Sequence, residues 1–336
     1  MRILFIGGTR FVGRAMATAA VDAGHDITLL HRGQTGRETF ADAEHLLADR
    51  DEDLGVLAGR EFDATVDVCA YLPRQVRSLA EALGGRGGHH VFVSTMSVYA
   101  DTDEPGLDEG APLVRLSDHA TEEVTGETYG GLKVLCEEQA KSSYDKSDLT
   151  IVRPTYVVGP HDHTGRFTWW VRRIARGGEV LAPGPHDSPI QVIDARDLAT
   201  WTISLAEDAK HGAFNAISPT PPFGFGDLLD ATVRAVGPHE TVLTWADPGW
   251  LSEQGEDYKS LPLWTEGEAE WTLAADPTKA IAAGLSPRPL TETVSDTWDW
   301  IKDEQPPLVT GWGVSTEREA ELLTGWHGRH PTTPLG

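Results

Sequence analysis

Short apolar runs alternate with helical patterns along residues 1–155. Apolar residues at helical spacing predict helices after the first strand, at Pro73–Leu83 and from Tyr129 onward. Strands that alternate with helices predict an α/β protein with a Rossmann-type, doubly wound parallel sheet. The runs typical of buried parallel strands are Arg2–Ile6, Asp26–Leu30, Glu44–Ala48, Asp63–Val68, His90–Ser94 and Leu149–Arg153.

The pattern changes after Thr155, where proline, glycine, histidine and tryptophan become frequent. Helices are predicted there at Phe167–Ile174 and Gly226–Val236. Strands are predicted at Ile190–Ile193 and Ala213–Ile217, so the sheet resumes late in the chain.

These patterns predict a division of the chain into three parts. Residues 1–155, with about 190–218, form a dinucleotide-binding domain. Residues 156–189 and 219–300 form a smaller, C-terminal substrate-binding region built from insertions. Residues 301–336 form a tail, and its one helix begins at the capping-box pattern Thr316-Glu317-Arg318-Glu319.

A glycine-rich turn links the first strand to the first predicted helix. Its glycines let the backbone approach a pyrophosphate, which the N-terminal amides of the helix can receive. A turn without any ligand is the alternative. The residues predicted to bind a dinucleotide here are Gly7, Thr9, Arg10, Phe11, Val12 and Gly13.

Charges near this turn predict which dinucleotide is bound. Arg10 takes the place of the middle glycine, and His31 and Arg32 follow the second strand, where NAD(H) sites usually have an acidic residue. Arginines attract a 2′-phosphate, so NADP(H) is the predicted cofactor; NAD(H) and a merely solvated Arg32 stay open. Asp49, at the end of the third strand, is either an acceptor for the adenine amino group or a solvated turn residue.

Ligands of open parallel sheets bind beyond the carboxyl ends of the strands. Ala70 follows the fourth predicted strand, and Thr95, Met96 and Ser97 follow the fifth. We therefore predict a cofactor contact at Ala70 and substrate contacts at Met96 and Ser97.

Tyr129 and Lys133 are one helical turn apart and share a helix face. A phenol has a pKa of about 10, but a nearby cation favours the phenolate and lowers that pKa. Tyr129 can then exchange a proton with a substrate oxygen while hydride moves at the same carbon. We predict that Tyr129, Lys133 and Thr95 are catalytic, with Thr95 holding the same oxygen and Lys133 also able to bond the nicotinamide ribose.

Five segments carry a family resemblance over about residues 1–220. They are Gly7–Gly13, Val93–Tyr99, Tyr129–Lys133, Arg153-Pro154 with Val158–Pro160, and Asp194–Leu198. With them the chain resembles the short-chain dehydrogenase/reductase superfamily, in the atypical part of its extended branch, the NAD-dependent epimerase/dehydratase family. The resemblance implies a Ser/Thr-Tyr-Lys catalytic group, whose places are taken by Thr95, Tyr129 and Lys133. It also implies that the backbone after Pro154 lies near the nicotinamide.

Departures from the family pattern narrow the predicted reaction. Extended-branch dehydratases carry Asp-Glu directly after the catalytic threonine, whereas this chain has Met96 and Ser97, so dehydration lacks a proton relay. The Arg10 loop and the Arg32-Gly33 turn resemble a subgroup that contains chloroplast stem-loop RNA-binding proteins. A net charge of −24 disfavours nucleic acid, whose binding relies on contacts from lysine and arginine to phosphate.

A substrate contact is also predicted at His161, which lies on a loop. Contacts are predicted at Arg166 and Arg196 as well, because arginine recognises phosphate or carboxylate. A solvated His161 and a pairing of Arg196 with Asp197 are the alternatives. His161 and His163 lack a third ligand, so no metal is predicted. The tryptophans all follow residue 168, and the candidates for an aromatic pocket are Trp169, Trp250 and Trp264.

The expected partner is a small-molecule substrate rather than nucleic acid or membrane, and a homodimer is left open. The sequence shows neither a membrane-length apolar run nor a signal peptide, and Cys69 and Cys136 are expected to be free thiols, as in a cytoplasmic protein. The predicted function is hydride transfer between NADP(H) and a carbonyl or alcohol carbon. A nucleotide-sugar 4-epimerase with recycled cofactor, and a cofactor-binding regulatory or RNA-binding protein, are the alternatives.

Overall fold

A computed structural model of the chain describes residues 1–36, 38–117, 121–266 and 271–329. Two compact units are formed. The first unit contains Met1–Val157, Gln191–Pro221 and Trp271–Pro287, and the second contains Val158–Ile190, Pro222–Glu270 and Arg288–Gly336. Residues 330–336 of the predicted tail lie outside the described residues.

Strands and helices are numbered in chain order. The strands are β1 (Arg2–Ile6), β2 (Asp26–His31), β3 (Glu44–Leu47), β4 (Ala64–Asp67), β5 (His89–Val93), β6 (Leu149–Pro154), β7 (Tyr156–Val158), β8 (Glu179–Pro183), β9 (Val192–Asp194), β10 (Gly212–Ala216) and β11 (Val242–Ala246). The helices are α1 (Phe11–Asp22), α2 (Pro73–Leu83), α3 (Gly126–Ser143), α4 (Arg166–Ala175), α5 (Ala195–Glu207), α6 (Phe225–Val236), α7 (Pro248–Glu253), α8 (Thr278–Ala282), α9 (Leu290–Glu304) and α10 (Thr316–Arg329). None of these helices is both long and apolar enough to cross a bilayer.

The first unit is built on a seven-stranded parallel sheet in the order β10-β6-β5-β4-β1-β2-β3. The apolar run of β1 reflects burial on both faces, because successive side chains of a strand point in opposite directions. Ile3 and Phe5 pack in the cluster that contains α1 and α5 residues, whereas Leu4 and Ile6 pack with α2 residues. Helices therefore cover both faces, and the predicted doubly wound α/β fold is confirmed.

The segment Trp271–Pro287 completes the first unit. Its Ala280 and Leu285 are buried in the same cluster as Phe214 of β10. The Trp201 indole N–H donates to Ala283 O at 3.0 Å. A late part of the chain thus completes the core that also contains Ile3 and Phe5 of β1.

The second unit contains a parallel pair of strands, β8 and β11, and the helices α4, α6 and α9 pack together. Trp170, Trp264 and Phe225 are among its fully buried side chains. The sequence pattern missed both strands, as well as α7, α8 and α9. It also placed the start of the Tyr129 helix wrongly, because α3 begins at Gly126 behind a Thr125 cap.

Candidate active site

The turn between β1 and α1 has a backbone that only glycine fits. Gly7 and Gly8 have positive φ angles of 100° and 95°. An added Cβ would lie 2.8 Å from Val68 at Gly7, and 2.8 Å from Leu29 at Gly8. The turn therefore packs directly on Val68 and Leu29 with a backbone conformation that glycine adopts without strain.

The first turn of α1 rests on this glycine loop. A Cβ on Gly13 would lie 2.7 Å from the backbone nitrogen of Gly8. Phe11 is buried, and Val12 is half-buried beside it. Arg10, which precedes the helix, is exposed and has no carboxylate partner among the described residues.

The turn after β2 approaches the glycine loop. The hydroxyls of Thr9 and Thr35 are 3.2 Å apart, and a Cβ on Gly36 would lie 2.6 Å from Thr9 O. Arg32 is exposed, whereas His31 is buried. Arg10 and Arg32 therefore belong to neighbouring turns, and neither has a carboxylate partner among the described residues.

His31 cannot stand in for the acidic residue of an NAD(H) site. Its Nε2 lies 2.8 Å from Nδ1 of His45, and its Nδ1 accepts from the Gly33 amide at 3.0 Å. Both ring nitrogens of His31 therefore make contacts within the protein. Asp49 is half-buried, and its Oδ1 accepts from the Asp51 amide at 3.0 Å, which closes a turn after β3.

Lys133 is buried beneath the ends of two central strands. Its ammonium donates to Ala70 O at 2.9 Å, three residues after β4, and to Val93 O at 2.7 Å, at the end of β5. Burial lowers the pKa of Lys133 to about 8. Ala70 contributes its carbonyl to this contact, and its side chain is fully buried.

Tyr129 is half-buried on α3, one turn before Lys133. The centre of its ring lies 6.3 Å from that of Tyr71. Thr95 is buried, and its Oγ1 accepts from the Ser97 amide at 3.2 Å and donates to the Ser97 hydroxyl at 3.3 Å. The structure thus puts Tyr129 and Lys133 on α3, and Thr95 beside the end of β5.

The remaining candidates of the first unit differ in exposure. Ser97 is exposed, but Met96 is buried in a cluster with Val98 and Val134, which leaves its side chain little surface for a substrate. Pro154 ends β6 and is buried. Arg196 binds Asp194 through two hydrogen bonds of 2.9 and 2.6 Å, an ion pair that the sequence analysis did not include.

His161 and Arg166 lie in the second unit. Nδ1 of His161 lies 3.8 Å from Oε2 of Glu304, and the His161 ring packs against Trp300. Arg166 donates to the Tyr258 hydroxyl at 3.3 Å. Groups of three or more metal-binding side chains were not found in the described part of the chain.

Two ion pairs buried in the described part of the first unit escaped the sequence analysis. Arg50 donates to both carboxylate oxygens of Asp67, at 2.7 and 2.9 Å, at the end of β4. Burial favours a raised Asp67 pKa, but the charge and hydrogen bonds of Arg50 hold that pKa below its ordinary value. An isolated cation in the acidic stretch Asp49–Asp53 was the available signal.

The second pair links α3 to β6. Glu137 accepts from Arg153 Nε at 2.9 Å and from Nη2 at 2.6 Å, and from the Ser94 hydroxyl at 2.7 Å. Arg153 also donates to the Tyr99 hydroxyl at 2.7 Å. Because Ser94 precedes Thr95, this pair fixes the backbone that carries the candidate threonine.

The sequence profile of the NAD dependent epimerase/dehydratase family matches residues 3–216. The chain belongs to this family. Solved structures of similar fold include a putative epimerase from Burkholderia cenocepacia, with a TM-score of 0.68 and 22% identity over 89% of this chain and 97% of that chain. Another is the UDP-glucuronic acid 4-epimerase from Bacillus cereus in complex with NAD, with a TM-score of 0.65 and 15% identity over 91% of this chain and 100% of that chain. At these identities the likeness shows the fold alone.

A curated relative of this epimerase/dehydratase family member is the chloroplast stem-loop binding protein of 41 kDa b from Arabidopsis thaliana. The two are 27% identical over 266 residues, which cover 74% of this chain and 66% of the relative. The chain thus spans just under two thirds of that relative's length.

Proposed function

We propose that this family member is an NAD(P)-dependent oxidoreductase that transfers hydride at a carbonyl or alcohol carbon of a small molecule. The observation that carries the proposal is the buried ammonium of Lys133, held by Ala70 O and Val93 O one helical turn from Tyr129. A buried cation beside a phenol favours proton exchange by that phenol near neutral pH.

The residues of the glycine loop fit a nicotinamide dinucleotide. Gly7, Gly8 and Gly13 let the turn pack tightly at the N-terminus of α1, because a Cβ at each would lie 2.7–2.8 Å from Val68, Leu29 or Gly8. Helix N-termini offer unpaired amides to phosphate. When bound, the dinucleotide supplies the hydride donor or acceptor.

The chain's own residues handle the proton. Tyr129 accepts a proton from the substrate oxygen when an alcohol is oxidised, and donates one when a carbonyl is reduced. Lys133 stabilises the phenolate by its charge. Thr95 holds the same oxygen, for which it exchanges its long 3.3 Å bond to Ser97.

The proposal is tested by three variants assayed with a panel of carbonyl compounds and UDP-sugars. Tyr129→Phe and Lys133→Met should each lower kcat at least a hundredfold, the scale of acid–base catalysis. Tyr144→Phe is the matched control, since its buried hydroxyl has no hydrogen-bond partner in the described structure. Full activity of Tyr129→Phe would refute the proposed role of the phenol.

The finer proposal is a preference for NADP(H) over NAD(H). It is supported by Arg10 and Arg32, which are exposed on neighbouring turns and lack a carboxylate partner among the described residues. Calorimetry should show that Arg32→Ala weakens NADPH binding about tenfold and leaves NADH binding nearly unchanged. Tighter binding of NADH than of NADPH by the natural sequence would contradict this preference.

A second candidate is a nucleotide-sugar 4-epimerase that recycles its cofactor. It is supported by the fold shared with a UDP-glucuronic acid 4-epimerase. The two candidates differ in net cofactor turnover. An oxidoreductase changes the absorbance of the reduced nicotinamide, whereas an epimerase converts a UDP-sugar, seen by NMR, without that change.

A role in RNA binding is the alternative of a different class, suggested by the name of the Arabidopsis relative. We expect no such role here, because the net charge of −24 repels phosphate. A gel-shift titration with a stem-loop RNA at moderate salt should show no complex.

A further inference from the structure

We propose that the second unit carries a binding site for a small organic anion with a flat aromatic group. The site is a cavity of about 890 Å³ between α4, α9 and residues 307–317. Its volume falls within the range of small-molecule sites, about 300–1,000 Å³. It lies wholly within the second unit, and none of its lining residues belongs to the glycine loop or to the Thr95, Tyr129 and Lys133 group.

Three tryptophans form the apolar part of this cavity. Trp169 of α4, Trp298 of α9 and Trp312 all line it, and each is only half-buried. Leu308, which also lines it, is 70% exposed. Indoles left accessible around one concavity are typical of a site that stacks a flat ligand.

A glycine brings the covering segment against the aromatic wall. Gly313 has a φ angle of 81°, and a Cβ there would lie 1.7 Å from Nε1 of Trp169. No other residue could pass so close to the ring. The segment before α10 therefore packs against Trp169 at a position that only glycine allows.

Two arginines supply the charge. Arg172 lies in the last turn of α4, Arg176 is the residue that caps this helix, and both line the cavity. Arg172 donates to Pro306 O at 2.7 Å, and Arg176 donates to the Thr316 hydroxyl at 3.2 Å. Both acceptors are neutral, so neither guanidinium has a carboxylate partner in the described residues.

The lack of carboxylate partners is informative in so acidic a chain. The sequence has 52 Asp and Glu against 28 Lys and Arg. Arg173, between the two, is paired with Glu319, and Lys302 at the same cavity is paired with Asp299 at 2.7 Å. Burial lowers the pKa of Arg172, and no anion among the described residues offsets this effect.

The other charges near this cavity do not explain why Arg172 and Arg176 lie there together. Glu317 lines the cavity, but its carboxylate is bonded to Ser315 and to its own amide. The C-terminus of α4 favours cations by about 0.3–1 kcal/mol, yet this dipole does not account for three indoles at the same place. Guanidinium groups beside aromatic rings match an aryl carboxylate or an aryl phosphate.

The test uses the full chain and three probes: 2-naphthoate, 2-naphthyl phosphate and the neutral 2-naphthalenemethanol. Calorimetry with saturating NADPH present should show binding of at least one anion, at least tenfold tighter than the neutral alcohol. Comparison of the two anions distinguishes carboxylate from phosphate chemistry. Equal binding of all three probes, or displacement by NADPH, would overturn the proposal.

Variants localise the site. Arg172→Met with Arg176→Met should weaken binding of the preferred anion at least tenfold, and Trp298→Leu should weaken it several-fold. Arg234→Met, an exposed arginine on α6 of the same unit, is the control and should leave the affinity unchanged. Arg176→Met alone, at an exposed position, serves if the double variant does not fold. Unchanged affinity in the folded arginine variants would overturn the proposal, while hydride transfer is read out separately.

Discussion

At the scale of single residues, the environment of Lys133 decides what its charge can do. Its side chain is 3% exposed, and its ammonium lies 4.3 Å from the centre of the Phe92 ring. Two carbonyl acceptors stabilise the charge, but burial still lowers the pKa to about 8. The protonated form therefore predominates only below about pH 8.

We expect kcat/KM for the proposed hydride transfer to fall as the pH rises through about 8. The reason is that the ammonium, which in the proposed mechanism stabilises the Tyr129 phenolate, loses its proton there. Lys133→Arg keeps a charge at every accessible pH. The alkaline decline of kcat/KM should therefore move to higher pH in this variant, even if its rate is lower. A pH–rate profile of both proteins checks this, and an unmoved limb in the arginine variant would rule out Lys133 as its origin.

His90 gives the opposite pH window, and its effect is on stability. Its ring is fully buried, stacks on Tyr144 at 4.0 Å and has no hydrogen-bond partner in the described structure. Burial lowers its pKa from 6.5 to about 4. Between these values the unfolded chain binds a proton that the folded chain does not, so the free energy of unfolding falls as the pH decreases.

His90→Phe keeps the stack and removes the proton site. We expect it to raise the free energy of unfolding by about 2 kcal/mol more at about pH 5 than at about pH 8, relative to the natural sequence. Urea unfolding at both pH values measures this difference. The same effect at both would show that protonation of His90 does not control stability.

At the scale of elements, α3 and β6 are joined by the pair of Glu137 and Arg153. Their side chains are 0% and 2% exposed. Removing one charge of a buried pair leaves the other uncompensated.

Glu137→Gln keeps the size and one acceptor but removes the charge. It should lower the free energy of unfolding by about 3–5 kcal/mol. Glu138→Gln, at the adjacent exposed position of α3, should change it by less than about 0.5 kcal/mol. Denaturant unfolding of the two variants provides the comparison, and similar losses in both would contradict the role given to the pair.

Elements with local signals could be predicted from the sequence, and those without could not. The helix Pro73–Leu83 was predicted to the residue because a proline starts it and Gly84, with a φ angle of 53°, ends it. The strands β8 and β11 were missed because Glu179 pairs with Val242, far along the chain. The Arg50 and Asp67 pair was missed for the same reason, since only the fold brings the two together.

At the scale of the whole molecule, the first unit is assembled from three stretches of chain. Gln191 holds the last of them, because its side chain donates to Ala275 O at 3.0 Å and accepts from the Ala275 amide at 3.0 Å. Gln191 is 1% exposed, so water cannot replace these bonds.

Gln191→Leu leaves the amide and carbonyl of Ala275 without these partners. We expect a loss of about 2–5 kcal/mol in the free energy of unfolding. Hydrogen exchange should quicken first in Trp271–Pro287. Uniform acceleration across the first unit, with no early change in this segment, would contradict the role of Gln191 as its anchor.

The late return of Trp271–Pro287 has a consequence for synthesis on the ribosome. Phe214 and Trp201 leave the exit tunnel before Ala280, Ala283 and Leu285, the residues that cover them. At about 5–20 residues per second, the stretch from Phe214 to Ala280 takes roughly 3–13 s to be translated. During that interval the apolar side chains of Phe214 and Trp201 stay exposed on the nascent chain. Exposed apolar surface of this kind is what chaperones recognise.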